Sequence, residues 1–487
     1  MSKKKKTIEE LVYESLVVNE EQPYDVPENW IWIKLKGLNK NEKRNIEPKN
    51  FSDEIFELYS VPSYTDRSPE FLTGEEIGSN KQLVKSNEIL LCKINPRINR
   101  VWKVSDNKKK YRQLASTEWI VINENRGIYP NYLFYLFGSP YFRKLISSNV
   151  SGVGGSLTRA RPREVENYPI AIPPLNEQKR IAEKVECFFN KIEEAKELVK
   201  EAKETFEVRR AAILDKAFRG ELTAKWREEN LESTLVSSEK IIVKDHITKN
   251  IKKSSSISET NIPISWEWIL SNDLFSFVTS GSRGWAKYYN DVGDLFIRVG
   301  NLSHQSIDID MTNQQKVNLP KDTEGTRTLV QENDILVSIT ADIGRIAVIP
   351  KEFPKAYINQ HIALARPVNG YLSEYLAWYL SSRNGGRLQF DRLQRGATKA
   401  GLGLNDIKNV WVPVPSLEEQ HVIVCKIKSA FNKLDKVEKN LKNTLEICEK
   451  LKNSILVKAF RGELGTNDSA EENVIELLKE LYQEQAK

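Results

Sequence analysis

Four cysteines, four histidines and two methionines are all that 487 residues hold of these three types. The cysteines (Cys92, Cys187, Cys425, Cys448) form no CxxC pair, and three of them fall in helix-like stretches. Free thiols are therefore expected, with no disulfide and no metal ligand. The histidines (His246, His304, His361, His421) are scattered and make no HExxH, so no metal site is expected. Long hydrophobic runs are missing too: nothing approaches the ~20 apolar residues of a membrane helix. The lysines at Lys3 to Lys6 lead into Thr7-Ile-Glu-Glu, not a signal-peptide core. A cytoplasmic location is the expectation. The chain has no GxxxxGK phosphate loop and no GxGxxG after a strand. It also lacks the Asp/Asn-Pro-Pro-aromatic tetrapeptide of amino-methyltransferases. No catalytic residue is expected, and the chain reads as a non-enzyme. Charge excess is also small: 73 Lys and Arg against 67 Asp and Glu leave +6. Any basic surface must therefore be local.

What the chain does have is a repeat. Lys216-Ala-Phe-Arg-Gly-Glu-Leu222 returns unchanged as Lys458-Ala-Phe-Arg-Gly-Glu-Leu464, 242 residues later. Leu175 and Leu417, Gln178 and Gln420, and Phe189 and Phe431 share that offset. A constant frame around two divergent inserts implies one chassis that reads two different things.

The repeated segments predict long helices. Ile181, Val185, Phe188, Ile192, Ala195, Val199, Ala202 and Phe206 alternate four and three apart, and Ile213 resumes the phase. The second copy follows with Ile423, Ile427, Leu434, Val437, Leu441, Thr444, Cys448, Leu451 and Ile455. That spacing, with Glu and Lys between, predicts a coiled-coil seam. Pro173-Pro174 and Pro413/Pro415 precede the helices, and Gly220 and Gly462 follow them, as helix boundaries prefer. A pseudo-two-fold relation would make the two helices antiparallel.

The inserts share an outline. Pro27-Glu-Asn-Trp-Ile-Trp32 and Pro263-Ile-Ser-Trp-Glu-Trp268 open them. Matching strands start at Asn87 and Asn333, and matching aromatic helices at Tyr132 and Tyr375. The fold class expected is α+β: two mixed α/β domains separated by two long antiparallel coiled-coil helices, in a pseudo-two-fold internal repeat. Residues 1–22 form a tail with a short helix, and 23–174 the first domain. The central helix spans 175–227, a polar linker 228–260 and the second domain 261–415. Residues 416–487 form the closing helix and tail.

The candidate functional residues are polar loops at matching places. In the first insert Gly154, Gly155, Ser156, Thr158, Arg159 and Arg161 form a Gly/Arg loop. Its counterpart holds Arg395, Thr398 and Lys399, preceded by Arg387. Glycines let backbone N–H groups approach a phosphate, and Arg, Lys and hydroxyls complete the contact. Lys93, Asn95, Arg97 and Arg100 follow one strand, and Arg345 stands at the equivalent place in the other half. Arg283, Lys287, Arg298 and Asn301 open the second insert. Arg, Lys and Asn are the side chains that pair with guanine and adenine edges. DNA is the partner these loops suggest; the alternative is that each is a flexible helix-to-strand connection.

Two dissimilar domains each open Pro-x-x-Trp-x-Trp. Each is followed by Leu-x-Glu-Gln and a heptad helix ending Lys-Ala-Phe-x-Gly-x-Leu. In this the chain resembles the specificity subunit of type I restriction–modification systems over nearly its whole length. The resemblance implies two target-recognition domains, each reading one half of a bipartite site in double-stranded DNA, spaced by the helix pair. It implies two adenine-N6 methyltransferase subunits as partners and, through them, restriction subunits. Phe218, Arg219, Phe460 and Arg461 at the helix ends are the residues expected to meet partners. S-adenosylmethionine, ATP and Mg would sit on those partners, with no cofactor in this chain. The competing readings are a coiled-coil scaffold without a DNA role and the DNA-binding part of a single-polypeptide restriction enzyme.

Overall fold

The computed structural model describes residues 7–38, 44–108, 110–125, 127–148, 150–151, 158–230, 261–320, 326–395 and 401–486. The chain divides into two compact units, residues 1–199 with 442–487 and residues 200–441.

In the first unit the strand Ile31–Lys34, which carries the second Trp of the opening motif, pairs antiparallel with Pro169–Ile172. Entry and exit of the insert are thereby tied together. Between them lie two sheets. The five-stranded one runs Asn45–Ile46, Lys81–Val84, Arg112–Ala115, Ile55–Tyr59, Glu70–Thr73, with only its Ile55–Tyr59/Arg112–Ala115 pair parallel. The three-stranded one runs Val101–Lys103, Ile89–Cys92, Trp119–Ile122. Helix Pro130–Gly138 buries Tyr132, Leu133, Leu136 and Phe137 in the main core. Helix Ile8–Ser15, begun by a Thr7/Glu10 capping box, packs with Ile475–Ala486 through Val12, Leu478 and Tyr482.

The second unit repeats the clasp: Glu267–Leu270 pairs antiparallel with Trp411–Val414. Its antiparallel four-stranded sheet runs Phe275–Ser280, Ile362–Pro367, Ile335–Ser338, Ile346–Val348. A second sheet of four runs Tyr289–Asn290, Lys316–Val317, Asp294–Ile297, Ala356–Ile358. Helix Ser373–Ser381 is buried along nearly its whole length, as its apolar sequence requires.

The two repeated segments are helices of 44 residues, Leu175–Phe218 and Leu417–Phe460. In the first, Val185, Ile192, Val199 and Phe206 are buried at strict seven-residue spacing, the signature of a heptad seam. Within the first unit Glu193 pairs with Lys452 and Lys196 with Glu449. Within the second, Arg210 pairs with Asp435, and Lys426 donates to Leu222 O just past the end of the first helix. Residue numbers rise on one helix as they fall on the other, so the segments in each unit are antiparallel. The second seam is narrower than its sequence predicts: Val437 and Leu451 are each 48% exposed. The helices also outrun the 181–213 and 423–455 stripes, because their ends pack into the domain cores.

Each unit gathers the three repeated motifs at one node. In the first, Trp30 Nε1 donates to Glu177 Oε2 at 2.8 Å. Gln178 accepts from the Tyr129 N–H at 2.8 Å and donates to Pro173 O at 2.9 Å, which fixes the start of the aromatic helix against the long one. Tyr132 donates to Ala171 O and meets the edge of Phe460 at 5.4 Å. The second unit substitutes Trp266 and Glu419 (2.9 Å), Gln420 with the Leu372 N–H (3.0 Å), and Tyr375 against Phe218 (5.4 Å). The helix-end glycines close the node. Gly462 (φ +74°) and Gly220 (φ +76°) lie so close to Pro27 and Pro263 that a Cβ would stand 2.5 Å and 2.4 Å from a proline Cγ.

The two carboxylates are held differently. Buried Glu419 is paired with Arg227 and accepts from Thr223. Among the described residues, the hydrogen-bond donors to Glu177 are all neutral: Trp30, Asn467 and Thr466. Burial pushes its carboxyl above the usual range, against those donors and the nearby Arg180. At its start, the expected linker is partly helix, since Ala224–Glu229 is helical. The rest of it, from residue 231, lies outside the described residues. Among the described residues no helix is long and apolar enough to cross a membrane.

Candidate nucleic-acid interface

In the first unit the strand Ile89–Cys92 runs out into a turn with left-handed Asn95 (φ +47°) and Asn99 (φ +50°) around Pro96–Ile98. That turn is clasped by the end of the Gly/Arg loop. The Ala160 N–H donates to Lys93 O and the Asn95 N–H donates to Thr158 O, both at 2.8 Å. Lys93, Asn95, Arg97 and Arg100 are thus brought together with Thr158, Arg159 and Arg161, a juxtaposition the sequence did not announce. Arg97, Arg159 and Arg161 are exposed. Arg159 also meets Glu118 at 2.9 Å. Arg100 is half-buried, and its guanidinium braces the turn by donating to Ile94 O at 3.3 Å. Among the described residues, Asn95 Oδ1 and Thr158 Oγ1 are buried at the clasp without a hydrogen-bond partner. Gly154, Gly155 and Ser156 lie outside the described residues.

The second unit has the same plan. After the strand Ile335–Ser338, the Leu402 N–H donates to Ile339 O at 2.9 Å and Thr340 bridges to Gly401. Arg395 is exposed and reaches Asp406 at 3.2 Å. Thr398 and Lys399 lie outside the described residues.

Several expected contact residues are spent inside the fold. Asn301 is 6% exposed, and its amide donates to Asp310 O (2.8 Å) and Asn313 O (3.0 Å) while accepting from the Arg298 N–H (2.9 Å). It organises a loop and presents nothing to a ligand. Arg345 bonds Asp342 (2.7 Å) and Leu302 O (3.0 Å), a brace of the same kind. Arg298 and Lys287 stay at the surface instead: Arg298 reaches Asn313 at 3.4 Å, and exposed Lys287 lies 4.9 Å from the Tyr288 ring. Phe218 and Phe460, expected to meet partners, are 5% and 1% exposed because each anchors a node. Neighbouring Arg219 pairs with Asp215, and Arg461 lies over Tyr24.

Of the second insert's opening group, Arg283 borders a cleft of about 720 Å³ in this unit. Arg387, noted in the sequence ahead of the second loop, lines it too, as does Asp342, while Thr340, Gln360, His361, Asp391 and Gln394 went unnoticed in the sequence. A second wall network joins His304 to Asp342 (2.8 Å) and to Arg387. Burial opposes ionisation of Asp342, but the hydrogen bonds from His304 and Arg345 outweigh it and hold the carboxyl below its usual range. No sequence signal could have joined these residues, since they come from separate turns and one helix.

Comparison with known proteins identifies the family. A family model described as the type I restriction modification DNA specificity domain matches residues 27–204 and again 263–447. Both matches begin at the motif prolines. The chain belongs to the type I restriction–modification DNA specificity family. The specificity subunit of the type I restriction enzyme EcoBI from Escherichia coli is 30% identical over 346 residues, covering 70% of this chain and 67% of that one. The putative MjaX specificity subunit of Methanocaldococcus jannaschii is 22% identical over 445 residues, 88% of this chain and 92% of its own. Among solved structures, the HsdS subunit from Thermoanaerobacter tengcongensis superposes with a TM-score of 0.59 at 22% identity, covering 91% and 99% of the two chains. A chain from a study of type I R-M complex assembly and conformational transition gives 0.69 at 22%, covering 91% and 100%. Members of the family recognise DNA and act with partner subunits, and the specificity subunit is the non-catalytic member of the complex.

Proposed function

We propose that each insert reads one half of a bipartite DNA site and that the two long helices set the gap between the halves and recruit two adenine-N6 methyltransferase subunits. Restriction subunits join through these. S-adenosylmethionine, ATP and Mg then belong to the partners, and the assembly works in the cytoplasm. The observation that carries this reading is the repeated architecture. Two inserts with different interiors present clasped Arg-bearing turns at matching places, on helices of equal length.

A length test follows from helix geometry. One heptad added to both helices keeps the apolar phase and adds about 10 Å, or about three base pairs. The half-site sequences should stay the same while the gap grows, read by sequencing methyladenine across a library of spacings. Because three base pairs turn one half-site by about 100°, every gap must be scanned. Methylation confined to the original gap would refute the ruler.

A further inference from the structure

Resting on that DNA reading, the 720 Å³ cleft of the second unit has a chemistry that separates base recognition from phosphate binding. A phosphate site is built from cations and N–H groups. This cleft mixes Arg283 with the carboxylate of Asp391 and the amides of Gln360 and Gln394. A carboxylate in the wall repels a phosphate but accepts from an exocyclic amino group, while Gln pairs with adenine and Arg with guanine.

The wall is also held still. Thr340 Oγ1 lies 2.5 Å from His361 Nδ1, and Gln360 Nε2 lies 3.1 Å from His361 Nε2. With the Gln360 amide nitrogen donating to Nε2, the ring donates from Nδ1 to Thr340, and both contacts are made at once. In the same lining Gln394 donates to Asp391 at 3.0 Å. His304 ties Asp342 to Arg387, so those two charges are committed to the wall. The turn itself is strained, since Ala341 sits at φ +70°, a left-handed conformation that costs a non-glycine residue and recurs at ligand sites.

We propose that this cleft reads base edges in the half-site of the second domain. Gln360, Gln394 and Arg283 supply the specific contacts, Asp391 accepts from an amino group, and His361 positions Gln360.

The test uses the complex assembled with its methyltransferase subunits. Gln394→Ala, Gln360→Ala and Arg283→Gln are compared with wild type on DNA libraries randomised in one half-site at a time, across a salt series. Expected is a fall of about 5- to 150-fold in discrimination at one or two positions of a single half-site. The other half should be read as before, and the salt slope should not change, Arg283→Gln included. Three results overturn the proposal: unaltered preference in both halves, weakening shared by all sequences, or a slope flattened by about one unit with Arg283→Gln, which marks a phosphate contact. Thermal unfolding of each variant identifies sequence-independent weakening that comes from misfolding, and the three substitutions lie on three different segments. A wild-type complex without sequence preference in either half would instead sink the DNA reading itself.

Discussion

Replacing Gly462 by alanine tests the closure of the first node with a control built into the same segment. Gly462 and Gly465 are both left-handed, at φ +74° and +66°. Alanine in that conformation costs about 1–2 kcal/mol at either place. The two differ in surroundings. A Cβ on Gly465 meets nothing within 4 Å, whereas one on Gly462 would stand 2.5 Å and 2.6 Å from Pro27 Cγ and Cδ. Ordinary carbon contacts lie near 3.5–4.0 Å, so Pro27 must retreat by about 1 Å against Trp30 and the clasped strand. Overpacking of this kind costs about 1–3 kcal/mol more. For a unit of this size that is a further fall in Tm of about 2–12 °C for Gly462→Ala over Gly465→Ala, read by calorimetry. Pro27→Ala combined with Gly462→Ala should recover most of the excess, giving a coupling energy of the same size. If the two alanine variants unfold together, Gly462 is only a helix cap and the motif contact contributes nothing.

Other residues give independent checks. Arg180 donates two hydrogen bonds of 2.9 Å to Glu471, which holds that carboxyl below the usual range. A depressed carboxyl stabilises the fold above its unfolded value of about 4.3 and ceases to as pH falls through the lower folded value. Glu471→Gln should therefore cost about 0.5–1 kcal/mol at neutral pH, the pair being partly solvated, and the difference should vanish in acid. A difference constant with pH would refute the linkage. Asn301→Ala should destabilise the second unit by about 1–3 kcal/mol, by orphaning Asp310 O and Asn313 O, without changing half-site preference. Altered preference would make it a reader after all. Arg159→Ala should weaken binding of the complex to cognate and random DNA alike and flatten the salt slope by about one unit; an unchanged slope would reduce Arg159 to its ion pair with Glu118.

The parts of the fold that the sequence announces are those where one physical constraint occurs twice. Trp30 and Trp266 must each reach a buried glutamate, and Gly220 and Gly462 must each admit a proline. These residues could not drift, and the repeat displays them. Heptad spacing is legible because Val185, Ile192, Val199 and Phe206 face one seam. The readers are less so. Arg283 was visible as a basic residue in a loop, but its company is not written locally: Gln360 and Gln394 reach the same cleft only through the sheet and the helix Gly386–Leu393. Composition equally cannot tell an arginine that faces out, as Arg161 does, from one that braces a turn, as Arg100 and Arg345 do. Their type and loop setting are alike, and backbone carbonyls decide between them.

The clasp explains how the inserts can diverge while the frame does not. Ile31–Lys34 pairs with Pro169–Ile172, and Glu267–Leu270 with Trp411–Val414, so each insert starts and ends as neighbouring strands. The node fastens on the clasp and the helix beside it: Tyr132 donates to Ala171 O in one and Tyr375 to Pro413 O in the other. Everything between, including the cleft and the basic turns, hangs from that fixed base. A substitution among the readers therefore need not disturb the long helices, and one at the node would unseat an entire insert. The node and the polar turns draw on separate residues, which lets the two inserts present different polar surfaces on one repeated frame.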